Sequence, residues 1–587
     1  MGGWQGRVLR LDLESGEAVE EPLPPAVAEK FLGGRGFGVY WLARQPVAAP
    51  LGPDNLLVLA AGPLTGTRAP TAGRVTAVTR SPLTGTICDS SAGGAFGARL
   101  KRCGYDALLV RGRASEPVYL VITPGRVEWR QAGSLWGQDV PAVFRTLRPL
   151  AGRSASILAI GPAGENGVLF AGAVVDGRRH LGRGGLGAVM GAKRLKAIIV
   201  AGDRPVHLAD RHAFDFVCYE ITKLLEANPI TAQALPLFGT AVLVNLLNQA
   251  RSFPTCNFRT SYFPAAEAIA GERLRAAFTV GRTACYACPI GCGRVVSLAG
   301  SRVAGPEYES IWALGANLGI ADLATVIRAN LLCNRYGLDT ISTGGTLACA
   351  MELSARGLLP WELRFGDGDA VLALIPQIAR REGPGAELAD GARALAERYG
   401  APEVAMQAKG LELPAYDPRG MQGQGLGFAT SNRGGCHLRG NMLGPEILGA
   451  PKMVDRLQAE GKAGLLIYLQ HNHAALDSLV LCKFTGFALR EEHYARLLRA
   501  ATGGDWRAQD LQRVGERIWN LERLYNLQAG FGPADDRLPR RLLEEPAEGR
   551  PVELAAMLRE YYRFRRWGPD GRPAPTKLAE LELGDFL

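Results

Sequence analysis

Three cysteines, Cys285, Cys288 and Cys292, fall within eight residues in the stretch Arg282-Thr-Ala-Cys-Tyr-Ala-Cys-Pro-Ile-Gly-Cys292. A C-x2-C-x3-C loop this compact presents three thiolates to one face of an iron–sulfur cube and leaves one iron for a distant fourth thiol. Zinc is the competing metal, but structural zinc sites draw on two separated ligand pairs. No second C-x2-C and no H-x3-H occurs in the chain. The plainest alternative is three free buried thiols close together by chance, and the density of the grouping weighs against it because cysteine is rare. Spacing does not choose the fourth ligand among the other eight cysteines, at 88, 103, 218, 256, 333, 349, 436 and 482.

Four glycine-rich segments precede this loop: Ala61-Gly-Pro-Leu-Thr-Gly-Thr67, Thr71-Ala-Gly-Arg74, Asp89-Ser-Ser-Ala-Gly-Gly-Ala-Phe-Gly97 and Arg183-Gly-Gly-Leu-Gly-Ala-Val-Met-Gly191. Exposed backbone N–H groups beside Ser, Thr and Arg suit phosphates and a hydrogen-bond-rich heterocycle. Each loop alone reads as ordinary turn glycine. Four together, with Arg74, Ser91, Gly93, Gly94, Arg183, Gly184 and Gly185 among them, point to one large anionic ligand. Phe31-Leu-Gly-Gly-Arg-Gly-Phe-Gly38 lacks the strand–Gly-x-Gly-x-x-Gly–helix setting and a following acidic residue, so it is not a dinucleotide fingerprint. No Walker A sequence is present.

The elements that must position these groups fall into a strand-rich part and a helical part. Strand-like runs are Val8–Leu13, Asn55–Ala61, Val75–Thr79, Ala107–Val110, Val118–Ile122, Val127–Gln131 and Ala197–Ala201, punctuated by Gly and Pro. Helical periodicity then takes over: Asp210 caps a helix through Leu225, and further segments are Ala321–Tyr336, Ala370–Arg381, Leu388–Tyr399, Pro451–Glu460, Ala495–Thr502 and Asp510–Leu527. The fold class expected is α+β, a β-rich N-terminal domain followed by two mainly α-helical domains. The divisions fall at residues 1–205, 206–415 and 416–587, the second boundary resting on the proline pair in Leu411-Glu-Leu-Pro-Ala-Tyr-Asp-Pro418.

Bulk properties bound the function. A chain of 587 residues with 47% hydrophobic content builds large cores and is not disordered. The net charge of +10 comes from Lys and Arg spread along the chain, without a basic tail or nucleic-acid motif. An anionic cofactor and an acidic electron carrier fit this balance better than nucleic acid. Eleven irregularly spaced cysteines are unlike a secreted disulfide framework, the N-terminus lacks an apolar signal core, and no run of eighteen apolar residues spans a membrane. A cytoplasmic, reducing setting is expected.

The chain resembles the tungsten-containing aldehyde ferredoxin oxidoreductase family along essentially its whole length. The resemblance is carried by Phe31-Leu-Gly-Gly-Arg-Gly, Gly62-Pro-Leu-Thr-Gly-Thr, Thr79-Arg-Ser-Pro-Leu-Thr-Gly, Arg183-Gly-Gly-Leu-Gly-Ala-Val-Met-Gly and the C-x2-C-x3-C loop. Gly305-Pro-Glu-Tyr-Glu309, Cys333-Asn-Arg-Tyr-Gly-Leu-Asp-Thr-Ile-Ser342, Arg433-Gly-Gly-Cys-His437 and Asp477-Ser-Leu-Val-Leu-Cys482 add to it. It implies a β-rich domain carrying two pterins, closed over by two helical domains. The implied cofactors are a bis-pterin tungsten (or molybdenum) centre, one [4Fe–4S] cluster and magnesium bridging the pterin phosphates. By the same resemblance Cys482 is the fourth cluster ligand.

The family's pterin-holding D-x-x-G-L-C/D pattern corresponds to Asn334-Arg-Tyr-Gly337-Leu338-Asp339 and to Asp477-Ser-Leu-Val-Leu481-Cys482. Asn replaces Asp in the first and Val480 replaces Gly in the second. Arg74 matches the family's arginine between cluster and pterin. Glu309 and His437 match the acid and histidine near the metal, His437 to polarise a carbonyl and Glu309 to position or deprotonate water. Glu307, two residues away, is a candidate to share that role. The family's E-x-x-H, which holds an iron between subunits, has no counterpart in Ala324–Cys333, so an oligomer bridged by that iron is not expected. The function implied is oxidation of a small aldehyde to a carboxylic acid, with electrons leaving through the cluster to ferredoxin or an Fe–S subunit. The alternatives weighed are a reductive aromatic acyl-CoA-type catalytic subunit, an Fe–S electron-transfer or scaffold subunit without tungsten, and a zinc-structured module.

Overall fold

The computed structural model of the chain describes residues 2–152 and 154–586. Twelve short strands form two six-stranded sheets. The first contains β1 (Arg7–Asp12), β2 (Glu17–Pro22), β3 (Leu57–Ala60), β4 (Val75–Arg80), β5 (Ile87–Ala92) and β6 (Ala107–Arg111), in the order β2-β1-β6-β3-β4-β5. The second contains β7 (Val118–Thr123), β8 (Arg126–Gln131), β9 (Ser156–Ile160), β10 (Ala173–Val175), β11 (Arg179–Leu181) and β12 (Leu195–Val200), in the order β11-β10-β9-β12-β7-β8. Pairing is antiparallel except for β1 with β6 and β7 with β12.

The two-residue period of a strand sends alternate side chains to opposite faces. Leu57 and Leu59 of β3 join Leu9, Leu11, Leu108 and Val110 in a core shared with Leu120, Ile122, Leu158, Ile160 and Ile198 of the second sheet. Val58 and Ala60 face the other way, into a core built with helices. Both faces of β3 are therefore covered, which is why it reads as a continuous apolar run.

The helices that matter for the site are α1 (Gly34–Ala43), α2 (Leu186–Ala192), α3 (Arg211–Ala227), α4 (Tyr308–Leu314), α5 (Leu323–Tyr336), α6 (Thr340–Ala355), α7 (Lys462–Leu479) and α8 (Ala508–Gln528). Asp210, Asp322 and Asp339 cap α3, α5 and α6 by accepting from backbone N–H groups of the first turn. A small sheet of β13 (Thr279–Thr283), β14 (Gly293–Leu298) and β15 (Ser301–Ala304) carries the cysteine loop between its first two strands.

The α+β class and the change from strands to helices after residue 200 are as the sequence implies, but two local readings change. Pro451–Glu460 is not helical. The Asp455 carboxylate takes the Leu457 N–H at 2.9 Å and Val454 N–H donates to Pro445, so local bonds compete with a helix ladder. The helix starts instead at Lys462, after Gly461 in the left-handed region. Leu388–Tyr399 is broken at Gly391, whose φ is +88° and whose added Cβ would lie 2.8 Å from Leu83 Cδ1. Residues 411–418 are buried throughout.

Among the described residues, Ile230–Gln249 is long and apolar enough to cross a membrane, and the bent pair Tyr308–Leu318 and Leu323–Tyr336 passes the same test together. Ile230–Gln249 is broken into short π, α and 3-10 pieces and forms one wall of the cavity described below.

α1 enters the fold beside the end of α7. Val480, at the C-terminal cap of α7, takes the left-handed conformation (φ 59°, ψ 39°) that a glycine would adopt freely. Its side chain has room because residue 34 is glycine: a Cβ on Gly34 would lie 2.5 Å from Val480 Cγ2 and 2.3 Å from the Asp477 carbonyl oxygen. Gly34→Ala is therefore expected to destabilise the protein by about 2–4 kcal/mol through overpacking and backbone strain. The check is a lower apparent melting temperature; an unchanged one would contradict this packing.

Candidate active site

Cys285, Cys288 and Cys292 lie on the β13–β14 loop, and Cys482 follows α7 directly. All four are free thiols and half-buried. They line one wall of a cavity of about 610 Å³. Arg294 fixes the loop by donating to the Gly291 carbonyl at 2.7 Å, and Cys482 N–H donates to Thr71 Oγ1 at 3.1 Å. Burial pushes the Cys288 and Cys292 thiols up, so thiolates here need positive charge from a bound metal. Gly93 leaves room for this wall, since a Cβ there would sit 2.5 Å from Cys285 Sγ.

Arg74 donates to the Ser91 carbonyl at 3.1 Å, and Ser91 Oγ shares a 2.9 Å hydrogen bond with Thr76 Oγ1. Arg74, Ser91, Gly93 and Asn334 line the same cavity as the cysteines. Gly94, Arg183, Gly184, Gly185, Gly337, Leu338, Asp339, Asp477 and Leu481 do not line it and stand behind its walls. Arg183 Nη2 donates to the carbonyls of Glu412 and Gly435, at 2.6 and 3.1 Å, and Nη1 reaches Asp339 only at 3.5 Å. Gly337 (φ +77°) ends α5, Leu338 bridges to Ala171, and Asp339 caps α6. Gly185 (φ +79°) starts α2. Gly184 leaves space for Cys88, whose Sγ would be 2.2 Å from an added Cβ.

Asp477 belongs to a buried charge cluster with Lys483 (2.5 Å), Arg35 (3.4 Å) and Arg439 (3.5 Å). Burial raises its pKa, but the three cations more than offset this and hold it well below the carboxylate range. Leu481 is buried next to this cluster in the chain.

Glu309 and His437 meet inside the cavity. Glu309 lies in the first turn of α4, and its Oε2 accepts the Ala415 N–H at 3.1 Å. Its other oxygen lies 3.4 Å from His437 Nε2 and has no closer hydrogen-bond partner. Tyr416 packs against the imidazole with ring centroids 5.2 Å apart and planes tilted by 34°, limiting how the ring can turn. Burial pushes the Glu309 carboxyl up to about 8. Burial, helped by Arg183, Arg433, Arg439 and Lys483, pushes His437 well below its usual value. At neutral pH the pair is thus a protonated acid facing an uncharged imidazole. Glu307 does not share this role: Arg179 holds it at 3.1 Å and Thr240 donates to it at 2.7 Å.

Sequence reasoning missed several groups. Tyr416 has no motif to announce it. Arg433 and Arg439 flank His437 in sequence, and their arginines were a visible signal. Arg433 donates to Cys436 Sγ at 2.9 Å, and Leu438 N–H does so at 3.2 Å. Although burial raises the Cys436 thiol, Arg433, Arg439 and Arg183 outweigh it and hold the pKa below the ordinary value.

A double-sheet base roofed by helices thus carries one cavity lined by four thiols and by the facing Glu309 and His437. Residues 8–202 match the family model described as aldehyde ferredoxin oxidoreductase, N-terminal domain, and residues 217–583 match aldehyde ferredoxin oxidoreductase, domains 2 & 3. The chain belongs to the aldehyde ferredoxin oxidoreductase family. It is 49% identical over 603 residues to the tungsten-containing aldehyde ferredoxin oxidoreductase of Pyrococcus furiosus, and 48% identical over 604 residues to that of Thermococcus kodakarensis, each alignment covering 100% of both chains. Among solved structures it resembles the active site complex BamBC of benzoyl coenzyme A reductase with 1,5-dienoyl-CoA, at a TM-score of 0.87 and 25% identity, covering 100% of this chain and 98% of that one.

The raised Glu309 pKa has a stability consequence. A carboxyl whose folded pKa exceeds its unfolded value contributes most below the unfolded value, near 4.5, and loses that contribution as pH rises toward about 8. Glu309→Gln carries no such loss. The variant is expected to gain on the wild type in thermal stability as pH is raised from 4.5 to 8. Parallel melting curves would contradict the assignment.

Proposed function

We propose that the chain oxidises aldehydes to carboxylic acids at a tungsten–bis-pterin centre, tungsten being replaceable by molybdenum, and delivers electrons through a [4Fe–4S] cluster to an acidic ferredoxin or Fe–S subunit. The observation that carries this reading is the Glu309–His437 pair facing the cavity whose wall holds the four cysteines. Cys285, Cys288, Cys292 and Cys482 would hold the cluster. Among the described residues no three His, Cys, Asp or Glu side chains converge on a single ion, as a tetrahedral zinc would require. Thiols spread along one wall suit a cube, where each binds a different iron. Arg183 Nη1, buried without a hydrogen bond, is a cation left for an anionic group. Arg74, Ser91, Gly93, Gly94, Gly184, Gly185 and the segments 334–339 and 477–481 would hold the pterins, with magnesium between their phosphates.

When bound, the tungsten–pterin centre supplies the two-electron oxidant and the cluster carries electrons away singly. The chain's own residues manage water and protons. An aldehyde and water become a carboxylic acid with release of two electrons and two protons. Glu309 and His437 can donate toward a carbonyl oxygen at one atom and accept from water at the other. Ala415 N–H and Tyr416 keep the two groups aligned before substrate arrives. The apolar residues Val242, Leu243, Leu246 and Leu443 exclude bulk water from the same cavity.

The structural likeness to the benzoyl coenzyme A reductase complex keeps a second, reductive reading in play. The test is metal analysis and a viologen-linked assay on anaerobically purified protein. About one tungsten and four irons per chain, with aldehyde-dependent dye reduction, support the proposal. Cys482→Ser is expected to lose cluster iron and activity, and His437→Gln to keep both metals while kcat falls about 10²–10⁴-fold. Zinc alone, or full iron and activity in Cys482→Ser, would sink it; reduction of an aromatic acyl thioester without aldehyde oxidation would favour the second reading.

A further inference from the structure

The cysteine loop faces two ways. Cys285 and Cys288 line the inner cavity together with Cys292 and Cys482. They also line a separate depression on the outer surface, with Arg68, Pro70, Thr222, Tyr286, Ala287 and Pro289. Ala284, Ala287 and Pro289 are exposed at its edge. The outer rim is polar and basic. Between Glu272 and Glu307 the chain has no Asp or Glu but five arginines, at 273, 275, 282, 294 and 302. Arg294 is spent inside, on loop carbonyls. The other four are exposed, and among the described residues none of them pairs with a carboxylate. Arg282 lies along the loop, its Cδ 3.9 Å from where a Cβ on Gly291 would be. Arg68 is 67% exposed, with Asp215 at 3.3 Å as its partner. Beside the rim, on α3, stand the exposed Tyr219 and Lys223, the ammonium 5.7 Å from the ring centroid.

We infer that this outer face of the cysteine loop is the docking surface for a small acidic electron-carrier protein, an inference that rests on the electron path proposed above. Two half-buried thiols shared between cavity and surface place proposed cluster ligands at an exit from the site. Arg282, without a carboxylate partner among the described residues, and the exposed Arg68 beside the small apolar tip attract and orient an acidic partner, adding to encounter rate and register more than to contact energy. A second copy of the chain would bring the same arginines against this face, and like charges would oppose the contact. Arg68 and Arg282 flank the loop and set the contact, while Arg273, Arg275 and Arg302 add to the field.

The test uses the full-length holoenzyme and an acidic bacterial [4Fe–4S] ferredoxin as probe, with benzyl viologen in parallel. The double variant Arg68→Glu/Arg282→Glu is expected to keep its iron and its viologen rate while kcat/KM for ferredoxin drops about tenfold or more, through KM. Wild-type ferredoxin reduction is expected to weaken as salt rises, and the variant to lose most of that dependence. Unchanged ferredoxin kinetics and salt response overturn the docking surface, as does an equal fall in both assays. If the glutamate pair loses iron, Arg68→Gln/Arg282→Gln is read in the same way, with a smaller expected drop of about threefold. A wild type without iron or viologen activity instead overturns the electron path itself.

Discussion

A buried network of charges holds the strand-rich base to the helical part of the chain. Arg35 on α1 makes a bidentate pair with Glu522 on α8, both bonds at 2.7 Å, and lies over the ring of Trp519. Asp89 on β5 binds Arg439, and Asp477 on α7 binds Lys483, Arg35 and Arg439. Asn432 adds a hydrogen bond to Glu522 at 3.0 Å. Three carboxylates and three cations thus balance in a nearly dry space. Such a cluster adds little net stability over an apolar core, yet losing one member costs about 3–5 kcal/mol because its partner stays buried and uncompensated. Its value is register: it fixes where α7 ends, and so where Cys482 reaches the cavity that the other three thiols also line.

The Glu309–His437 pair depends on the same scarcity of water, with the opposite sign. Glu309 is denied a cation of its own: Arg183 is turned to backbone carbonyls and Asp339, and Arg433 to Cys436. Desolvation then dominates and keeps the carboxyl protonated near neutrality. The same arginines stand close enough to hold His437 uncharged. One arrangement of cations therefore lowers the pKa of Asp477 and of Cys436 while burial keeps Glu309 and His437 neutral near pH 7. The difference is which side chains the guanidinium groups touch.

Local signals in the sequence are those whose physics is local. The alternation in β1, the apolar run of β3, the aspartate cap of α3 and the cysteine spacing were readable because neighbours in sequence decide them. The break at Gly391 was not, since it depends on Leu83 and on Glu412, which takes the Ala392 N–H at 3.0 Å. α7 escaped notice because it is covered on most sides and carries Gln470, His471 and Asp477 inside, so it shows no amphipathic stripe. Cys482 could be chosen only by resemblance, as no spacing ties it to Cys285. Tyr416 and the split of roles between Glu307 and Glu309 needed coordinates, because two glutamates two residues apart on one turn look alike until their partners are seen.

The two departures from the D-x-x-G-L-C/D pattern have physical compensation in this chain. Val480 adopts the left-handed conformation of the glycine it replaces, so the backbone leads into Cys482 along a path a glycine would also follow. The strain, of order 1–2 kcal/mol, is set against burial of the valine in the space left by Gly34. Asn334 sits in the last turn of α5, where the helix dipole places partial negative charge. A carboxylate there would be repelled, whereas an amide offers both a donor and an acceptor without charge. The substitution leaves a polar but uncharged group on the cavity wall. Both changes preserve the shape of the cradle, and the second alters only its electrostatics.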